Sequence, residues 1–60
     1  MSTKIVAVVT TQKEAVAGGA PIFVVQSPKE LQETAFTLEK ILDAMVHELN
    51  ANTLIVVRHS

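Results

Sequence analysis

The residues of this chain that could do chemistry are few and scattered. Arg58 and His59 adjoin each other behind the apolar run Thr53–Val57. A guanidinium beside an imidazole at a strand end is suited to a phosphate-like anion, which arginine grips with two parallel hydrogen bonds while histidine moves a proton. Lys4 and Lys29 add positive charge, and Ser27 offers a hydroxyl just ahead of Lys29. Asp43 and His47 stand four residues apart. On a helix that spacing can hold a metal ion, but it far more often makes a solvated pair worth a few tenths of a kcal/mol. With no cysteine and two histidines far apart, the chain has no thiolate zinc site, redox motif or disulfide, and we assign it no metal or cofactor. Gly18-Gly19 lacks the flanking pattern of a phosphate-cradling loop and reads as a turn.

Composition narrows the function classes. Five basic residues against six acidic ones, with no Trp or Tyr, leave neither the basic face nor the stacking platforms of a nucleic-acid module. The opening MSTKIVAVVTTQKE has a five-residue apolar core followed by polar residues, too short for a signal peptide or membrane span. The reading is therefore a cytoplasmic protein without nucleic-acid or membrane partners. Sixty residues make one domain, 1–60, and a domain of that size buries only about 60% of the surface its unfolded chain exposes. Without disulfides or metal, oligomerisation is the available source of further stability.

The elements that must position these residues are punctuated clearly. Lys4–Thr10, Pro21–Gln26 and Thr53–Arg58 are β-branched runs of strand length, each apolar on both faces. Ser27-Pro28-Lys29-Glu30 is a helix start: Ser27 caps, Pro28 takes the first position, and Glu30 closes a capping box. Leu31, Ala35, Leu38, Leu42, Met45 and Leu49 then recur at spacings of four and three, which predicts a helix continuing to Asn50. Thr11–Ala20 is expected to be the tip of a hairpin joining the first two strands, or a short helix capped by Thr11 and Glu14.

These elements predict an α+β fold: a small ββαβ two-layer domain with a mixed three-stranded sheet and one long helix on one face. The first strand is expected to pair antiparallel to the second, and the second and third to be joined by a parallel right-handed crossover. One helix covers one face of a sheet whose strands are apolar on both, so the other face should be covered by oligomerisation.

Two resemblances are local. The run ending in Arg58-His59 looks like the strand carrying the nucleophilic histidine of the histidine phosphatase (phosphoglycerate mutase-like) family. In that family a Gly follows the pair, and a second histidine and further arginines come from a long downstream fold. Here Ser60 follows and His47 sits on the predicted helix, so the likeness spans about five residues and does not carry the activity. The layout PIFVVQ, helix, LIVVR is similar to the strand–helix–strand plan of the small oligomeric 4-oxalocrotonate tautomerase family, whose base is a free N-terminal proline. The matching Pro21 follows Ala20 in a peptide bond, and its amide nitrogen has no useful basicity.

The resulting functional reading is a non-enzymatic homo-oligomeric interaction or assembly module, a dimer or larger, with Val6, Val8, Val56 and Phe36 as interface candidates. Phe36 lies off the apolar stripe, where an exposed aromatic favours a protein partner. The alternative is a binder of a small anion, phosphate-like or a nucleotide, on an edge formed by Lys4, Ser27, Lys29, Arg58 and His59. That edge requires the carboxyl end of the last strand to meet the helix N-terminus.

Overall fold

In the computed structural model, which describes residues 3–15 and 18–59, the chain forms β1 (Thr3–Thr10), a 3-10 turn (Lys13–Ala15), β2 (Ile22–Val24), α1 (Pro28–Leu42), β3 (Met45–Asn50) and β4 (Thr53–His59). The strands make one sheet in the order β2-β1-β4-β3. β1 runs parallel to β2 and antiparallel to β4, and β3 is antiparallel to β4. The expected α+β class holds, with four strands in a mixed sheet rather than three.

The helix begins where its sequence predicts. Ser27 is extended, its Oγ accepts the Glu30 N–H at 3.2 Å, and Pro28 follows it. Glu30 reaches back to the Gln26 N–H at 3.2 Å, one residue earlier than a standard capping box. Its buried residues, Leu31 and Ala35, meet Val9 and Leu54 in the core, with Val25, Leu38 and Val46 packed around them.

Three expectations are corrected. The helix stops at Leu42 rather than Asn50, because Asp43 turns into the left-handed region (φ 52°, ψ 55°) and the N–H groups of Asp43 and Ala44 both reach the Glu39 carbonyl. The Glu39 carboxylate then accepts the Val46 N–H at 3.1 Å, steering the chain into a fourth strand. Met45 and Leu49 match a helical stripe only because an amphipathic strand also spaces apolar residues by four. β1 and β2 are parallel rather than a hairpin: a single 3-10 turn starts the crossing, so a connection shorter than the usual dozen residues suffices. Val16 and Ala17 of that connection lie outside the described residues, as does Ser60. Finally, β4 neighbours β1 and β3, so the predicted parallel pairing of the second strand with the last does not occur.

Candidate functional site

Strand register decides which side chains share a face, because opposed residues point the same way and neighbours along a strand alternate. Val9 and Ala7 of β1 oppose Leu54 and Val56 of β4, and all four are buried on the helix side. A bulge between Ile5 and Ala7 shifts the parity of β1. Ile5 thereby joins Val8 and Thr10 on the opposite face, beside Val57, Ile55 and Thr53. β2 adds Ile22 and Val24 there, opposite Val8 and Thr10, and β3 adds Met45 and His47, opposite Val57 and Ile55.

No described element packs over this second face. Its outer apolar side chains remain substantially exposed, Ile5 by 46%, Val24 by 51% and Met45 by 54%, while Val57 between Ile5 and Met45 is buried. At the β2 side, Ile5, Val8 and Ile22 line a shallow concavity of about 280 Å³ with Gly18, Gly19 and Ala20. Gly18 has φ 142°, a conformation that suits a residue without a Cβ. At the β3 side, the His47 and His59 rings meet edge to face, with centroids 6.3 Å apart, and the Thr3 hydroxyl lies 3.2 Å from His59 Nδ1. The sequence reading missed this pair because it kept His47 on the helix; reading Met45–Asn50 as a strand would have found it. Among the described residues, no group of three or more His, Cys, Asp or Glu side chains is placed to hold a metal.

Near one end of the face is a buried hydroxyl junction. Thr10 and Thr53, both fully buried, lie Oγ1 to Oγ1 at 2.9 Å. Thr10 Oγ1 also accepts the Gln12 N–H at 3.0 Å and reaches the Asn52 carbonyl at 3.1 Å. A hydroxyl has one proton and two lone pairs. Donation to Asn52 and acceptance from Gln12 and Thr53 use all three.

The predicted anion-edge residues fall at two ends of the sheet. Lys4 and Arg58 are register partners, and Thr3 pairs with His59 beside them. Arg58 donates to the Leu42 carbonyl at the C-terminus of α1, where a cation complements the negative end of the helix dipole. Ser27 and Lys29 stand at the other end, near Thr10, whose carbonyl accepts the Val25 N–H. The six residue steps from Lys4 to Thr10 span about 20 Å. Lys4, Arg58 and His59 are thus brought together, but beside the helix C-terminus rather than its N-terminus. Of the interface candidates, Val8 is half-buried on the open face and Val6 half-buried at the bulge. Val56 is 0% exposed beneath the helix, whereas Phe36 is 52% exposed on α1.

A family model described as the capping complex subunit for YIEGIA matches residues 2–59. The chain belongs to that family. It is also similar to a Bacillus subtilis (strain 168) protein named "Uncharacterized protein YpzH", with 40% identity over 55 residues covering 92% of this chain and 86% of the relative. No solved structure matches. The family description is that of an assembly subunit, which agrees with the coarse expectation of a small assembly-type protein. Among the described residues no helix is long and apolar enough to cross a membrane.

Proposed function

We propose that this protein is a non-enzymatic subunit of a protein complex and that it docks through the open face of its sheet. The observation carrying this reading is the one-sided cover. α1 buries Val9, Leu54 and Val56, while Ile5, Val24 and Met45 on the far side keep about half their surface in water. Burying apolar surface contributes about 25 cal/mol per Å², so a protein laid on this face gains most where those side chains stand. The family's description supplies the candidate partner, YIEGIA. Self-association through the same face is the homo-oligomeric form of this reading.

Co-expression with YIEGIA, followed by hydrogen exchange on the purified complex, tests the proposal. Protection is expected at Ile5, Val8 and Ile55, and Met45→Lys is expected to abolish the complex while leaving the circular dichroism of the free subunit unchanged. Protection confined to the outer side of α1, with loss of binding on Phe36→Lys instead, would overturn the assignment of the open face.

A further inference from the structure

The two edges of the sheet are not alike. On β3 the Val46 N–H is taken by the Glu39 carboxylate, Glu48 places a charge on the strand, and the register slips between Glu48 and Asn50. Side-chain capture, charge and bulges are devices that discourage another strand from pairing. β2 has none of them. No charged residue occurs between Ala15 and Pro28, and Ile22, Phe23 and Val24 are all exposed. β1 takes the Pro21 carbonyl and the Val25 N–H. Because successive residues present their backbone groups to alternate edges, those of Ile22 and Val24 face outward, and among the described residues no strand lies beyond them.

We infer that β2 pairs antiparallel with β2 of a second copy, about a two-fold axis at Phe23. The edge is self-complementary in that register. Ile22 lies opposite Val24 of the second copy, and each such pair exchanges both of its hydrogen bonds, while the two Phe23 residues face each other as a non-hydrogen-bonded pair. The axis is perpendicular to the sheet, so both helices lie on one side and the two open faces merge. Ile22 and Val24 from both copies form the seam of that merged face, next to the concavity bounded by Ile5, Val8 and Gly18–Ala20. An uncharged apolar strand with β-branched residues on either side of its centre suits a second copy of itself better than a charged segment. This edge contact is separate from docking on the open face and does not depend on it.

The natural chain has no cysteine, which permits a direct test on the full-length protein. Residues opposed as a non-hydrogen-bonded pair have Cα atoms about 4.5 Å apart, within disulfide range. Phe23→Cys is therefore expected to oxidise to a linked dimer at least about tenfold faster than Phe36→Cys at equal concentration. Val24→Pro removes the outward N–H while sparing the bonds to β1, and Phe23→Lys sets two charges against each other on the axis. Sedimentation equilibrium at about 100 μM should find twice the 6.5 kDa chain mass for the natural sequence and 6.5 kDa for whichever of these variants retains its folded spectrum. Equal cross-linking rates for the two cysteine variants, or a natural chain that is monomeric throughout, would overturn the inference. Met45→Lys, remote from β2, should leave the Phe23→Cys cross-link intact even where it breaks docking on the open face.

Discussion

Removing the hydroxyl of Thr10 should be disproportionately costly, because both threonines of the junction are fully buried and the proton accounting closes only with both present. Thr10→Val keeps the shape but strands the Gln12 N–H and the Thr53 hydroxyl together. At about 1 kcal/mol for each polar group left without its partner, the loss is about 2 kcal/mol. Thr53→Val removes only one of the bonds that Thr10 accepts, so about 1 kcal/mol is expected. In the double variant the stranded Thr53 hydroxyl no longer exists and only the Gln12 N–H lacks its partner, so the loss should fall to about 1 kcal/mol instead of rising to about 3, a coupling of about 2 kcal/mol. Domains carry roughly 0.05–0.15 kcal/mol of stability per residue, which for this length is about 3–9 kcal/mol, so the effect is a large fraction of the whole. Urea titration followed by far-ultraviolet circular dichroism measures all four corners of the cycle. A domain this small should also lose about 4–8 °C in Tm per kcal/mol. Strictly additive losses, or a Thr10→Val variant as stable as the natural chain, would refute the shared-hydroxyl account.

Two further outcomes concern the ends of α1. Ser27→Ala should lower stability by about 1 kcal/mol in thermal melts, with Glu30→Ala smaller and sub-additive because the Gln26 bond depends on the same first turn. Asp43→Gly should raise stability by about 0.5–1 kcal/mol, since glycine adopts the left-handed cap without a Cβ clash and removes an anion from the negative end of the helix, whereas Asp43→Val should lower it. A neutral or destabilising glycine would show that the Asp43 side chain does more than occupy the turn.

What the sequence made legible was chemistry that acts locally. The start of α1 rests on four adjacent residues, and Ser27 and Pro28 take the predicted roles. The three β-branched runs became strands because that composition has little other use. The end of the helix was illegible for a physical reason: Asp43 occupies a position where glycine or asparagine normally announces the stop, and the apolar residues beyond it continue the helical spacing while serving a strand. Misplacing those residues displaced the candidate site too. With β3 inserted between helix and last strand, Arg58 arrives at the C-terminal end of α1 instead of its N-terminus, and His47 moves from the helix to the side of His59. The face of Ile5 was equally hidden, because one extra residue at Val6 reverses the alternation and no local signal marks it.

The pairing of β1 with β4 has a consequence in time. Thr3 and His59 are 56 residues apart in sequence, yet they are partners in the central ladder of the sheet. Closing a loop of that length costs about 3.5 kcal/mol before the ladder returns anything, which places the chain among slow-folding small domains, on the millisecond-to-second scale. During synthesis at about 5–20 residues per second, β1 and β2 exist for about 2–7 s before β4 follows them. Through that interval β1 and β2 have α1 but not the strand that completes the central ladder, and the edges of both β1 and β2 are bare, so the nascent chain should be most prone to aggregation, and most dependent on chaperones, before residue 53 emerges.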